Sequence, residues 1–286
     1  MNIVNILEEI EKVDGEIYER LNPRRSAMKD FYNLGKKITL AAMPLAMGSM
    51  FQKAYGQNAP TNVTEVLNFA LTLEYLEYHF YNHALLAAPG LLDTPDRAVA
   101  KGAITTIRDH EKAHVDLLAG ALKTSARAPL AYTDFDFTAK GTFGDVYTNY
   151  QTFLAVAQAF EDTGVRAYKG QAGVLKGNAV LTTALQIHSV EARHAAHIRF
   201  MRQGGINGGG LAIKPWISLG ANGQANDSGV PQVDAVYAGE DLETQANGAV
   251  PITNIFAGVT KAKAVESFDE PLTSAQVLAI AGLFIK

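Results

Sequence analysis

Four segments between Thr61 and about Gly204 each combine a helical pattern of apolar residues with one glutamate at the centre of the apolar stripe. Positions that recur every three or four residues fall on one face of a helix, and such a face normally packs into the protein core. The sequence therefore predicts four long helices that direct four carboxylates into one core. These central residues are Glu74, Glu111, Glu161 and Glu191.

The segments between these helices predict how the helices are connected. Pro89, Gly90 and Thr94 mark a short turn between the first two helices, and a second break at 173–178 separates the last two. A loop of about twenty residues separates the second helix from the third, which we expect to begin near Phe143. Short, long and short connections are typical of a four-helix bundle with one long crossover. We therefore expect an all-α fold.

Two of the four glutamates have a histidine three residues later, as Glu111-Lys-Ala-His114 and Glu191-Ala-Arg-His194. Residues i and i+3 lie about 60° apart on a helix, so each pair can bind the same ion. The other histidines lie off these stripes, and we expect three of them at the margin of the site or on the surface and the last two in solvent: His188, His197, His110, His79 and His83.

Four carboxylates buried together need compensating charge, because an uncompensated buried charge costs several kcal/mol. Two divalent cations would supply that charge, and two neutral imidazoles would complete their ligands. Ion pairs with arginine or lysine are the alternative, although few basic residues lie on the four stripes. Oxygen-rich sites with one imidazole per metal suit iron or manganese better than zinc. The chain has no cysteine, so thiolate ligands are excluded.

This order of residues resembles the signature of the ferritin-like di-iron carboxylate proteins, in which a glutamate on one helix and Glu-x-x-His on the next occur twice, on either side of a crossover. The resemblance implies a ferritin-like four-helix bundle over residues 58–204. It also implies a cofactor of two iron ions, with manganese or a mixed manganese–iron pair as the alternative.

The resemblance further implies a role for each ligand. Glu111 and Glu191 would bridge the two metals, and Glu74 and Glu161 would be terminal ligands. The histidine that follows each bridging glutamate, His114 or His194, would bind one metal. Glu77 lies one helical turn from Glu74 and is the alternative to it.

Two tyrosines repeat in the same register as the terminal glutamates. Tyr81 follows Glu74 by seven residues, and Tyr168 follows Glu161 by seven, so the two halves of the domain mirror each other. We interpret Tyr81 and Tyr168 as candidate catalytic residues that act as hydrogen-bond partners or electron relays. Ordinary core tyrosines are the alternative.

The N-terminal region, residues 1–57, differs in character from the rest. An acidic amphipathic helix is predicted over residues 1–22, followed by PRRSAMK and the apolar run ITLAAMPLAMGSMF at 38–51. This pattern resembles a twin-arginine export signal with a cleavage site near Ala54-Tyr55-Gly56, so we expect an exported, periplasmic protein. The alternative is a cytoplasmic protein with an N-terminal helical hairpin. The apolar run is too short for a stable transmembrane span.

The C-terminal region, residues 205–286, is predicted to be an irregular extension that ends in a helix capped by Thr273 or Ser274 and running to Ile285. Its segments VYAGED and SFDEPLTSAQVLAIAGLFI are similar to those of bacterial relatives of plant desiccation-related proteins, a ferritin-like branch. This resemblance implies a role in stress protection.

The function implied by these resemblances is a di-iron oxidoreductase that reacts with O2 or peroxide, of the ferroxidase or peroxide-scavenging type. One alternative is a non-catalytic stress protein in which metals only stabilise the bundle, and another is a di-manganese site that dismutates peroxide. The net charge of −4 gives no reason to expect nucleic-acid binding. The long regions at both ends argue against a 24-subunit cage, so we expect a monomer or a homodimer.

Overall fold

A computed structural model of the chain forms two units, Met1–Lys53 and Ala54–Lys286. The predicted N-terminal helix and the export signal lie outside the described residues, so they stay predictions. The structure describes residues 60–205, 213–220, 223, 236–245, 250–254 and 258–286.

Four long helices form a bundle in two pairs. Helix α1 packs mainly on α2, and α3 packs mainly on α4, while α1 and α3 are also in contact. Residues 87–97 and 172–179 connect the helices within each pair, and the crossover at 123–149 connects the pairs. The predicted all-α bundle with one long crossover is therefore confirmed. The helices are α1 (Val63–Leu86), α2 (Ala98–Leu122), α3 (Tyr150–Gln171) and α4 (Val180–Phe200).

Asparagine side chains fix where α1 and α3 begin. The Asn62 side chain accepts a hydrogen bond from the backbone N–H of Glu65 at 3.0 Å, and Asn149 accepts one from Gln151 at 3.0 Å. Such caps satisfy N–H groups that have no partner within the first turn of a helix. Helix α3 therefore begins at Tyr150, later than the predicted start near Phe143.

The C-terminal region contains little regular structure in its described parts. Two short strands pair antiparallel, β1 (Thr244–Gln245) with β2 (Val250–Pro251). Two short helices follow, α5 (Lys261–Val265) and α6 (Ser274–Ala281), and Thr273 caps the second of them. Helix α6 ends before the predicted Ile285. Within the described residues, no helix combines the length and the hydropathy that crossing a membrane requires.

Helix α3 is enclosed on nearly all sides. Eighteen of its 22 residues are buried, so it cannot have the solvent-exposed face of an ordinary bundle helix. The bundle covers one side, and the C-terminal region covers the other, with Tyr237, Val277 and Phe284 packed into the same hydrophobic core.

A buried arginine on α3 anchors the C-terminal region. The Nε of Arg166 donates to the carbonyl of Glu270 at 2.7 Å and lies 2.7 Å from the Glu240 carboxylate. A terminal nitrogen of Arg166 donates to the carbonyl of Ala238 at 2.6 Å. The backbone N–H of Leu272 donates back to the Arg166 carbonyl at 3.2 Å. One α3 residue thus holds two separate segments of the C-terminal region, 238–240 and 270–272.

A second buried polar network lies on the same side of α3. Asp162 accepts from Arg199 at 2.5 Å and from the Tyr237 hydroxyl at 2.7 Å. Gln158 donates to that hydroxyl at 2.8 Å and accepts from Arg202 at 2.6 Å. The three buried arginines of α3, α4 and the segment just after α4 therefore have their partners on the outer side of α3, away from the glutamates of the core. They are Arg166, Arg199 and Arg202.

The substitution Gly170→Ala tests how closely the C-terminal region approaches α3. A Cβ atom at Gly170 would lie 1.9 Å from the carbonyl oxygen of Leu272, which is a backbone atom and cannot rotate away. We expect a loss of about 1–3 kcal/mol in the free energy of unfolding, measured by chemical denaturation. Gly173→Ala is the control, because no atom lies within 4 Å of its Cβ position. Equal stability of the two variants would contradict the close approach.

Candidate metal centre

The structure brings the six residues of the predicted ligand set together in the middle of the bundle. Helices α1 and α3 each contribute one glutamate, and α2 and α4 each contribute a glutamate and a histidine. The four glutamates have no solvent-exposed surface, and both histidines are buried. The six residues are Glu74, Glu111, His114, Glu161, Glu191 and His194.

The first group of ligand atoms surrounds His114. Its Nδ1 atom lies 3.1 Å from Glu74 Oε2, 3.1 Å from Glu111 Oε2 and 3.1 Å from Glu191 Oε1. All four side chains are buried, and one ligand atom from each lies within 4.8 Å of the others. This spacing suits a single ion bound by three carboxylates and one imidazole.

The second group surrounds His194. Its Nδ1 atom lies 2.8 Å from Glu111 Oε1, 3.2 Å from Glu161 Oε2 and 3.9 Å from Glu191 Oε2. Glu111 and Glu191 thus present one carboxylate oxygen to each histidine, whereas Glu74 belongs to the first group and Glu161 to the second. Two shared carboxylates and two unshared ones are the arrangement expected of bridging and terminal ligands.

The donor atoms of these residues fit divalent cations. Glu111 Oε1 and both carboxylate oxygens of Glu191 are buried and receive no well-directed hydrogen bond from the described residues, although a histidine nitrogen lies 2.8 Å from Glu111 Oε1 and another lies 3.1 Å from Glu191 Oε1. Buried oxygens normally have a hydrogen-bond partner, so such atoms point to an ion as the missing partner. Carboxylate oxygens with one imidazole per ion favour iron or manganese.

Without an ion, the cluster takes up protons. Burial raises the pKa of Glu111 to about 7, although hydrogen bonds from His114 and His194 act against this rise. Burial and then the charge of Glu111 raise the pKa of Glu191 well above its usual range. Burial lowers the pKa of His194, but the charge of Glu161 and hydrogen bonds to Glu111 and Glu161 outweigh it and raise this pKa to about 11.

A fifth carboxylate, that of Glu77, lies beside the ligand set. Glu77 is buried, and burial and then the charge of Glu191 raise its pKa well above its usual range. A Cβ atom at Gly164 would lie 3.3 Å from Glu77 Oε1 and 3.2 Å from Glu191 Oε2, so this glycine gives both carboxylates room. The sequence reasoning treated Glu77 as an alternative to Glu74, but residues i and i+3 can both face the core.

Each candidate tyrosine contacts a glutamate of the opposite half of the bundle. The Tyr81 hydroxyl donates to Glu161 Oε1, and the Tyr168 hydroxyl donates to Glu74 Oε1. Burial, and then the charge of the bound glutamate, raise the pKa of both phenols well above the usual range, which keeps them protonated as donors. Electron transfer through these tyrosines stays a prediction.

The other histidines lie around this centre or beneath the crossover. His110 Nδ1 lies 2.9 Å from His194 Nε2, and His188 contacts the carbonyl of Val165; His197 is half-buried. Two more differ from the expected solvent exposure, because the crossover packs over them. His79 Nε2 lies 2.8 Å from the carbonyl of Leu130, and the His83 ring stacks on Tyr132 with centroids 4.2 Å apart.

Comparison with protein families gives one match. The family model described as a ferritin-like domain matches residues 62–204, half of the chain. The matched range begins at the residue that caps α1 and ends just after α4, so it contains all six residues of the ligand set. Comparison with curated proteins and with solved structures gives no match.

Removal of metal should make stability depend more strongly on pH. The raised pKa of Glu111 means that the folded apoprotein binds more protons than the unfolded chain between pH 4.5 and about 7, so stability falls as pH rises through this window. The raised pKa of His194 acts in the same direction, because its contribution is complete below pH 6.5 and is lost as pH rises toward about 11.

The measurement is thermal melting at roughly pH 5.5 and 8, with a chelator or with added metal. We expect the melting temperature of the apoprotein to fall markedly between these two pH values, and that of the metal-loaded protein to fall less. The metal-loaded form is the control, since other titrating groups affect both forms alike. The same change with pH in both forms would contradict the assignment.

Substitution at Glu74 and at Glu77 tests which of these two carboxylates binds metal. Glu74 Oε2 contacts His114, whereas Glu77 belongs to neither group of ligand atoms. We therefore expect Glu74→Gln to weaken one metal site and Glu77→Gln to leave about two ions per chain. Metal content after dialysis measures both, and a greater loss in the Glu77 variant would reverse the assignment of these two residues.

Proposed function

Since the chain belongs to the family of ferritin-like domains, we propose that it is a di-iron oxidoreductase that uses O2 or peroxide as its oxidant. The observation that carries this proposal is the shared position of Glu111 and Glu191, each of which presents one oxygen to each of the two histidines. Two ions held this close can act together on one oxidant molecule.

The ligand set would divide evenly between two ions. Glu74 with His114 would hold one ion, and Glu161 with His194 the other, while the two shared carboxylates would contact both. Four carboxylates carry a charge of −4, which two divalent ions balance. Bound iron supplies redox chemistry, because each ion can give up one electron and the pair can give up two.

The two tyrosines orient the terminal glutamates for metal binding. In Glu74, Oε1 accepts from Tyr168 while Oε2 faces His114. In Glu161, Oε1 accepts from Tyr81 while Oε2 faces His194. Each terminal carboxylate therefore has one oxygen fixed by a phenol and the other directed into the centre. Fixing the first oxygen limits rotation of the carboxylate and favours binding of metal through the second.

The surrounding helices keep bulk water out of the centre. The four glutamates are completely buried, and α3 is covered on its outer side by the C-terminal region. Ion pairs and hydrogen bonds are stronger in such a space than in water, which favours tight metal binding. Exclusion of bulk water would also protect a reactive oxidant from side reactions.

We also propose that the protein is exported and acts in protection against stress. Export is supported by Arg24-Arg25 and the apolar run at 38–51, and stress protection by the similarity of VYAGED at 236–241 to desiccation-related proteins. Residues of this motif anchor the C-terminal region, since Tyr237 contacts α3 through Asp162 and Glu240 contacts it through Arg166. The motif is therefore interpreted as structural and not catalytic.

Metal content and Fe(II) oxidation test the proposed activity. We expect about two iron ions per chain and rapid oxidation of Fe(II) by O2 or hydrogen peroxide, followed by absorbance spectroscopy. His194→Ala should lose metal and slow oxidation by more than the roughly 10–100-fold that loss of an outer hydrogen-bond partner costs. His197→Ala is the matched control on the same helix and should behave as the wild type.

Two outcomes would overturn this proposal. A wild-type chain that binds no iron would exclude the metal centre, and one that binds two ions but oxidises no Fe(II) would leave the ions a stabilising role only. Metal analysis of protein purified from its own host would decide between iron and manganese. Loss of metal from the His197 variant but not from the His194 variant would overturn the assignment of the ligand.

A further inference from the structure

A cavity of about 100 Å³ lies inside the bundle at the end that contains Tyr168. All four long helices contribute to its lining, which is almost entirely hydrocarbon, with Gln171 and Thr183 as polar exceptions. Leu117 lines the cavity and is 47% exposed, so the cavity opens to the surface there. The Tyr168 hydroxyl donates to Glu74, so a single side chain separates the cavity from the metal centre.

The internal repeat of the bundle allows the two ends to be compared. Glu74 corresponds to Glu161, and Tyr81 to Tyr168, at a separation of 87 positions in both cases. The two Glu-x-x-His motifs, on α2 and α4, correspond at a separation of 80 positions. Each residue of the four helices near one tyrosine therefore has a counterpart near the other, and a difference in size between counterparts is a difference between the ends.

Aromatic rings fill the end that contains Tyr81. The Phe80 ring stacks on Phe153 and packs edge-on against Phe160, with centroids 5.0 Å apart in both cases. The Phe153 ring also packs edge-on against Tyr81. At the other end, the counterparts of these three phenylalanines line the cavity and are much smaller. They are Ala167, Val66 and Leu73, respectively.

Helices α2 and α4 show the same difference. Ile104 of the filled end corresponds to Ala184 in the cavity wall, and Met201 corresponds to Ala121. Five other residues of the wall are larger than their counterparts, which are one valine and four alanines, but they do not fill the space: Phe69, Gln171, Leu175, Val180 and Thr183. The cavity therefore results from small side chains at five equivalent positions at one end of a repeated structure.

We propose that this cavity binds a small uncharged apolar molecule, or the hydrocarbon end of a larger one, up to about the size of benzene. An empty cavity lowers stability in proportion to its volume, so an apolar ligand would restore contacts that the small residues give up. Water is a poor occupant, because it needs two to four polar partners that this lining does not supply. An apolar cavity of about 150 Å³ binds benzene or xenon. This cavity is smaller, about 100 Å³, but opens to the surface beside Leu117, so benzene is taken as the upper limit of size.

The proposal rests on the proposed function only for the role of the ligand. A molecule in the cavity lies against Tyr168, which holds the terminal ligand Glu74, and this position makes it a candidate substrate of the metal centre. Binding itself requires no metal, because the residues of the wall belong to the bundle and not to the ligand set. Failure of binding and failure of metal chemistry can therefore be distinguished.

The full-length chain, prepared without metal, is titrated with benzene and observed through its methyl NMR signals, and its crystals are pressurised with xenon. We expect saturable shifts in the methyl signals of Val66, Ala167 and Ile187 and a xenon atom in the cavity. A titration with 1-hexanol shows whether the end of an alkyl chain enters in the same way. The opening beside Leu117 leaves room for the hydroxyl group of such a chain.

Two variants are designed to fill the cavity. In each, an alanine of the wall is replaced by the larger residue found at the equivalent position of the filled end. Ala167→Phe introduces the residue found at position 80, and Ala184→Ile introduces the residue found at position 104. We expect at least roughly tenfold weaker benzene binding in each and no xenon site. The number of metal ions per chain should stay unchanged, since neither residue is a ligand. Ala98→Phe, at an exposed position at the start of α2, is the matched control.

Each result of these experiments either supports or overturns the proposal. Wild-type binding that either cavity-filling variant abolishes, and that the control retains, supports the proposal even if the other variant fails to fold. Absence of methyl shifts and of xenon in the wild type would overturn it. Unchanged binding in both folded variants would also overturn it, because the ligand would then lie elsewhere.

Discussion

The structure depends on holding carboxylates in a space shielded from bulk solvent. Glu74, Glu77, Glu111, Glu161 and Glu191 meet among apolar side chains, where their mutual repulsion is strong and solvation is lost. Two imidazoles, two phenols and a glycine surround them, and all of these groups come from the helix faces that point into the core. An ion, or a set of protons, must complete this arrangement, which is why the same residues define both the stability and the chemistry of the bundle.

Buried charges on the outer side of α3 also need partners, and the C-terminal region supplies several of them. Asp162 and Arg166 follow the candidate ligand Glu161 by one and five residues but point away from it, and both are buried by the C-terminal region. Their hydrogen bonds to Tyr237 and Ala238 fix the helix from outside. The helix that carries Glu161 is therefore held on both sides, which would limit how far this proposed ligand shifts when an ion binds or leaves.

Much of the bundle could be predicted because its signals are local. The periodic stripes and the Glu-x-x-His spacing depend on neighbours within two turns of a helix, so they identify the fold and the buried glutamates without any tertiary information. The covering of α3 could not be found in this way. Arg166 is typical of an exposed position, and its partners Ala238 and Glu270 are 72 and 104 positions away. The partial burial of His79 could not be predicted for the same reason, since the crossover that covers it has no periodic pattern.

The crossover is also joined to the far end of the sequence. Phe135 pairs with Ile285, and Lys286 contacts the carbonyl of Thr133, 153 positions away. The pair α1 and α2 can form from contacts between neighbours in the chain, but enclosure of α3 must wait for these distant residues. Contacts of such separation slow folding, because a long loop must close before they are made. We expect a nascent chain to pass through a stage in which the first helical hairpin is formed while Arg166 still lacks its partners, which makes that stage the one most exposed to aggregation during synthesis.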